Sequence, residues 1–355
     1  MTTDTVGGVW TYCMELCSAL KNINFHLVTT GAALYDWQQN EVKKLTNVTL
    51  YESAYKLEWQ PDCWEDIDIS SHWLLELDEK IHPDIIHLNS YSYGSVKFSA
   101  PVIVVAHSDV FSWWQAVKKE DPPVEWQEYY ERVRNGLQGA ERIVAPSHAM
   151  KNRIQQIYNV QEQIDVIYNG RNCDQFYSRE KQPYIFTMGR IWDEAKNIDL
   201  LVRAAKDLKY KIYIAGKAGK EKPKANSRIE ILGQLSKEDI AKYLSAASVF
   251  VLPARYEPFG LSALEAGLSG CALVLGDISS LREIWNDNAV FVNTDDPEML
   301  VGTIHSLMRD TSELHKYAAK AYEHAKTYTV QKMASGYSTL YSQLKQEKQE
   351  KAYTL

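Results

Sequence analysis

Two series of short apolar runs, separated by a polar stretch, constrain this chain more than any other feature of its sequence. The first series is Phe25-His26-Leu27-Val28, Ile85-Ile86-His87-Leu88, Val102-Ile103-Val104-Val105, Ile143-Val144-Ala145 and Val166-Ile167-Tyr168. After an aperiodic stretch at 171–183 the pattern restarts with residues 184–187, 212–215, 229–232, 249–252 and 272–275. Each run has strand length and is largely apolar instead of alternating, the pattern of strands buried on both faces. Amphipathic segments of helical period fill the gaps, so the expectation is an α/β chain of doubly wound parallel sheets. Two series predict two Rossmann-like domains: 1–170 and 184–327, joined by a linker at 171–183. Helical periodicity across 312–343 exceeds what the second sheet needs, and the final piece, about 328–355, is expected to pack back on the first domain. Open parallel sheets bind ligands beyond the carboxyl ends of their strands, so two such domains are expected to face one another across a ligand cleft. The start departs from the pattern, because Met1 to Val6 leaves almost no room for a strand before Gly7-Gly8. Either that strand is very short or the chain is trimmed.

Composition narrows the partners. The chain has 355 residues, 45% of them hydrophobic, which is ample for two cores. Its net charge of −7 leaves no Lys/Arg surplus to displace counterions from a nucleic acid, so nucleic acid is excluded and any phosphate site must be local. No apolar run approaches the roughly 18 residues of a membrane span, and the first residues lack a signal layout, so a cytoplasmic protein is expected. Cys13, Cys17, Cys63, Cys173 and Cys271 are odd in number and lack C-x-x-C spacing, which predicts reduced packing residues. The lysine-rich residues 217–224 read as an exposed loop.

The segment 255–267 carries the chemistry. Pro258 and Gly260 favour a turn, while Leu261, Leu264 and Leu268 have the i, i+3, i+7 spacing of a helix that starts near Gly260. Glu257 then lies just before the helix and Glu265 in its second turn. A helix N-terminus seats phosphate. An ionised carboxylate only accepts hydrogen bonds, so two of them beside a phosphate make sense if they face hydroxyl groups. Phosphate with a sugar on either side describes a nucleotide sugar.

Other residues fit that reading. Arg190 and Lys196 sit between a strand and the amphipathic helix 198–208, which presents two cations at a strand's carboxyl end. His107 directly follows the run 102–106, where a neutral imidazole can bond a ligand, whereas His87 inside Ile86-His87-Leu88 is expected to be a satisfied core residue. Asp66-Ile67-Asp68 spells a metal-chelating D-x-D, but polar and helix-capping residues surround it, so no metal site is expected there. Trp113 and Trp114, followed by Lys118 and Lys119, leave three uses open: stacking on an acceptor sugar, touching an anionic membrane surface, or core burial. Gly7-Gly8 is not the G-x-G-x-x-G of a dinucleotide site.

Five blocks together, Gly7-Gly8-Val9, Val104 to Ser108, Val144 to Ser147, Gly189-Arg190 with Lys196-Asn197, and Glu257 to Glu265, resemble the family 4 retaining glycosyltransferases of GT-B architecture. That resemblance implies roles. Arg190 and Lys196 would hold the donor diphosphate, Glu257 the hydroxyls of the transferred sugar and Glu265 those of the ribose. The N–H groups of Phe259, Gly260 and Leu261 would face phosphate or sugar, and backbone around Gly233 to Leu235 would hold the base. Gly7 and Gly8 would allow close approach from the other domain, and His107 would bond a donor-sugar hydroxyl or the departing phosphate. The implied reaction transfers a hexose from a nucleoside-diphosphate sugar, with UDP-glucose the first choice, to a polysaccharide or lipid-linked glycan. No metal or cofactor is implied, and the inner membrane face is a candidate docking place. A nucleotide-sugar epimerase of the same architecture and a non-catalytic nucleotide-sugar-binding protein are the rival readings.

Overall fold

The structure, a computed structural model, describes residues 1–219 and 227–353, so most of the lysine-rich stretch lies outside the described residues. The chain divides into two units. One comprises Met1–Gln115, Glu120–Gly170 and the chain from Val330 onward; the other comprises Ala116–Lys119 and Arg171–Thr329.

In the first unit β1 (Thr2–Asp4), β2 (Phe25–Thr30) and β3 (Val48–Tyr51) form one parallel sheet in that order. β4 (Ile86–Leu88), β5 (Val102–Val105), β6 (Arg142–Ala145) and β7 (Ile164–Val166) form another, and β1 lies beside β4. The apolar runs behave as their composition requires. Side chains of a strand point alternately to its two faces. Ile103, Val105 and Val144 therefore pack with Trp10, Tyr12 and Leu16 of the helix Gly8–Ala19 and with Met333, Tyr337 and Leu340 of the helix Val330–Tyr353. Val104, Ile143 and Ala145 meet Leu77 of the helix Trp64–Ile81 and Val133 and Leu137 of the helix Gln127–Gly139. The final helix thus packs on the first unit, as its surplus periodicity suggests.

The second unit holds β8 (Gln182–Met188), β9 (Lys211–Ala215), β10 (Ile229–Gly233), β11 (Ala247–Leu252), β12 (Ala272–Gly276) and β13 (Val290–Val292). They form one parallel sheet in the order β10-β9-β8-β11-β12-β13, with β11 buried along its whole length. All six carboxyl ends share an edge.

Several expectations change in detail. The strand expected at 166–168 lies at Ile164–Val166. The first strand is indeed short, three residues paired with Val28 to Thr30 of β2. β3 and β13 are not among the expected strands: β3 is half exposed with Thr49 in its middle, and β13, though apolar, is only three residues long. The helical stretch 312–343 is two helices, Thr311–Ala325 and Val330–Tyr353. Between them Thr329 extends beside Arg171, whose N–H bonds the Tyr328 carbonyl at 3.1 Å and so ends the helical run. Residues 171–183, read as a linker, belong to the second unit. Arg171 is buried, a short 3-10 turn follows at Cys173–Gln175, and β8 already begins at Gln182.

His87 is the satisfied core histidine expected, with Nε2 3.2 Å from the Tyr12 hydroxyl and Nδ1 2.7 Å from that of Tyr341. Cys13, Cys17, Cys63 and Cys271 are buried and free, and Cys173 is half-buried. Among the described residues no helix is long and apolar enough to cross a membrane.

Candidate functional site

The second unit gathers the charged residues. β8 and β11 are neighbours in a parallel sheet, so the loops leaving their carboxyl ends run side by side. The N–H of Arg255 bonds the Ala195 carbonyl at 2.8 Å and ties the two loops together. That tie brings Lys196 to Glu257, with which it forms an ion pair, both side chains mostly withdrawn from solvent. Asn197 holds the arrangement from below. It takes the left-handed conformation (φ 53°), and its amide donates to the carbonyls of Pro253 at 2.9 Å and Thr294 at 2.7 Å, linking the loops after β8, β11 and β13.

Arg190 is more exposed but not free. Its guanidinium bonds the buried Asp193 at 2.7 and 3.1 Å and lies over the Trp192 ring at 5.6 Å. Asp193 also accepts the Ala195 N–H at 3.0 Å, so one carboxylate shapes the loop and aims the arginine. Sequence reasoning missed Asp193 as a positioning group. Its signal was available, since Asp three residues after an Arg and two before a backbone donor is a turn-capping pattern.

Gly260 caps the helix Leu261–Leu268 in the left-handed region (φ 95°), and a Cβ there would sit 3.1 Å from Leu281. Glycine is therefore required at this position. Among the described residues no acceptor takes the N–H groups of Phe259, Gly260 and Leu261, while the Phe259 side chain is buried against Tyr328. Unpaired N–H groups at a helix start attract anions. Glu265 lies in the second turn, as expected, and Arg171 Nε is 3.0 Å from its carboxylate. Arg171 was read only as the start of a linker. Gly233 ends β10 on the same sheet edge, its carbonyl accepting the Gly216 N–H at 2.7 Å, and Leu235 follows half-buried.

The first unit gathers neutral groups. Gly7, with a positive φ of 85°, turns the chain from β1 into the helix that Gly8 opens. His107 leaves β5, half-buried, with its ring edge-on to Tyr12 at 4.6 Å between centroids. Its Nε2 lies 2.7 Å from Asn89 Oδ1. Burial pushes its imidazole down to about 3, so the ring is neutral at any ordinary pH. Trp113 and Trp114 sit on the helix Val110–Val117 at 5.9 Å from each other, both half-buried, which does not fit simple core burial. Another face of this helix, at Phe111 and Gln115, lines a cavity of about 420 Å³ with Val124, Gln127 and Tyr130. Asp66 and Asp68 lie in the first turns of the helix Trp64–Ile81; Asp66 accepts the Lys56 N–H and Asp68 pairs with Arg132.

Open parallel sheets of this kind take ligands beyond their carboxyl ends, and the second unit's carboxyl edge carries ion pairs and an open helix start. Two adjoining family models match the chain: Glycosyltransferase Family 4 over residues 6–175 and Glycosyl transferases group 1 over residues 171–324. The chain belongs to this glycosyltransferase family, of GT-B architecture, and is a transferase. An uncharacterized glycosyltransferase of Methanocaldococcus jannaschii is 24% identical over 96% of this chain and 95% of its own. The O-antigen chain mannosyltransferase RfbU of Salmonella typhimurium is 26% identical over 53% of this chain and 58% of its own. Among solved structures, Anabaena HepE in complex with UDP and glucose superposes with a TM-score of 0.75 at 14% identity, covering 97% of this chain and all of that one.

Proposed function

We propose that the protein is a retaining, metal-independent hexosyltransferase that moves a hexose from a nucleoside-diphosphate sugar, UDP-glucose first among candidates, to a hydroxyl of a polysaccharide or lipid-linked glycan. The observation that carries the reading is the cluster at the carboxyl edge of the second sheet: Arg190 and Lys196, Glu257 and Glu265, and the open N–H groups of residues 259–261. Negative charge grows on the nucleoside diphosphate as the glycosidic bond breaks. Preorganised cations and a helix start stabilise that charge without a metal. Lys196 approaches the diphosphate already neutralised by Glu257, so the incoming phosphate competes for the ammonium and frees the carboxylate to accept sugar hydroxyls. Glu265, steadied by Arg171, accepts from the ribose hydroxyls.

Neither glutamate is assigned as a nucleophile. The reaction is same-face substitution: the leaving phosphate oxygen takes the acceptor hydroxyl's proton as that hydroxyl bonds the anomeric carbon, and configuration is kept. The protein supplies positioning and charge stabilisation. A structural neighbour solved in complex with UDP and glucose and a relative named an O-antigen chain mannosyltransferase support the substrate classes.

The test is a panel of nucleotide sugars offered with oligosaccharide and lipid-linked acceptors, the product's anomeric coupling being read by proton NMR. An α-linked product from an α-linked donor supports the reading, and a β-linked one refutes retention. Release of free nucleoside diphosphate with no glycosylated acceptor would favour the epimerase instead. Turnover is expected to persist in chelator; loss restored by Mg²⁺ or Mn²⁺ would refute metal independence.

A further inference from the structure

His107 rests on a residue that neither the charged cluster nor the family match brings into view. Asn89 leaves the carboxyl end of β4, beside β1, and ties the two together: its N–H bonds Thr2 Oγ1 at 2.9 Å, and its side-chain amide nitrogen bonds the Thr2 carbonyl at 2.7 Å. The same amide nitrogen is 3.3 Å from Cys13 Sγ. A carbonyl oxygen only accepts, so the NH₂ end of the Asn89 amide must face Thr2. Its oxygen must then face His107 Nε2, at 2.7 Å. No flip of the amide satisfies both neighbours.

The consequence falls on the imidazole. An amide oxygen also only accepts, so Nε2 must carry a hydrogen. A neutral imidazole has one such hydrogen, which leaves Nδ1 with a bare lone pair. Among the described residues no group bonds Nδ1. The ring plane is held by the edge of Tyr12, whose hydroxyl is 3.2 Å from His87, itself bonded to Tyr341 of the final helix.

We propose that Asn89 is a positioning residue that locks His107 in its Nε2–H tautomer, so that Nδ1 accepts a hydrogen bond from a substrate hydroxyl and does not donate one to a phosphate. This sharpens the role of His107 and rests, for the identity of the substrate, on the donor reading above. A lone pair aimed at a phosphate oxygen would repel it; aimed at a sugar hydroxyl it binds and orients it. The two roles left open by sequence are thereby separated.

The test is a long-range ¹H–¹⁵N correlation spectrum of the full-length labelled protein, with His107 assigned by the signals lost in His107→Gln. Nε2 is expected to be pyrrole-like and Nδ1 pyridine-like; the reverse pattern overturns the proposal, and this measurement needs no substitution at Asn89. In Asn89→Ala, with folding checked by circular dichroism, the two nitrogen signals should move toward an averaged position. Its kcat should fall about tenfold, the scale of one hydrogen bond. Asn89→Asp keeps an acceptor oxygen toward Nε2 but sets its other oxygen against the Thr2 carbonyl, so it should hold Nε2 pyrrole-like and lose less kcat than Asn89→Ala even as its Tm falls. An unchanged tautomer in Asn89→Ala, or equal losses in both variants, would make Asn89 merely structural and overturn the assignment. Titrated UDP-glucose should shift the Nδ1 signal where UDP does not, and a shift with UDP alone overturns the hydroxyl role. If no nucleotide sugar binds at all, the donor reading fails while the tautomer result still stands on the unliganded spectrum.

Discussion

The two units carry different chemistry at the carboxyl edges of their sheets. The second places ion pairs at its sheet edge, Lys196 with Glu257, Arg190 with Asp193 and Arg171 with Glu265. The first places neutral groups there: Tyr12, Asn89 and an uncharged His107. Paired charges kept partly out of water hold their geometry before a ligand arrives and exchange partners when an anion enters. Neutral donors and acceptors cannot stabilise an anion to the same degree, but they distinguish which atom of a hydroxyl faces them.

The largest test of that contrast is Lys196→Ala, expected to lower kcat/KM about a thousandfold and to abolish UDP binding by calorimetry together. Full activity would remove the charged cluster from the chemistry. Next in size is the pH dependence of stability in the first unit. Burial holds His107, at about 3, and His87 well below their ordinary value of 6.5. As pH falls below about 6.5 the unfolded chain takes up protons that the folded one refuses, so stability falls, by about 1.4 kcal/mol per pH unit for each histidine once its unfolded form titrates. Buried Asp109 and Glu58 are pushed up, which has the opposite sign and softens the fall at lower pH. Urea unfolding followed between pH 7 and pH 5 should show the loss, and His87→Gln should remove part of it. A flat profile would mean that the neutral network is not neutral by burial.

A smaller effect is expected at Gly260→Ala, which forces a Cβ into the left-handed region against Leu281; about 1–2 kcal/mol of stability should be lost, visible as a lower Tm. Activity should fall with it, because the open N–H groups sit on this turn. The finest distinction lies between the two glutamates. Glu265→Gln should weaken UDP binding about tenfold and Glu257→Gln by less than about threefold, because bare UDP has a ribose but no transferred sugar. Equal losses would undo the division of ribose from sugar.

Much of the second unit was legible. The runs at 184–187, 212–215, 229–232, 249–252 and 272–275 are five of its strands, and Gly260, Leu261 and Leu264 mark the start of its helix where spacing puts it. Cations and carboxylates announce themselves, since each needs a partner or water wherever it lies. The edge strand β3 escaped because Thr49 interrupts its apolar run and it is half exposed, and β13 because three apolar residues are too short a run to stand out. Arg171 escaped because its partner lies 94 positions further along the chain, at Glu265.

The sequence by itself determined two parallel α/β units, the strand ends that carry Arg190, Lys196 and His107, and the turn that carries Glu257 and Gly260. Periodicity and charge are local properties, and these features follow from them. Only the tertiary structure decided that Lys196 meets Glu257, that Arg171 meets Glu265, and that Asn89 sets the protonated nitrogen of His107. Such pairings depend on which strands become neighbours. Hydrogen-bond direction then depends on what the far side of each group already holds, as the Thr2 carbonyl does for Asn89.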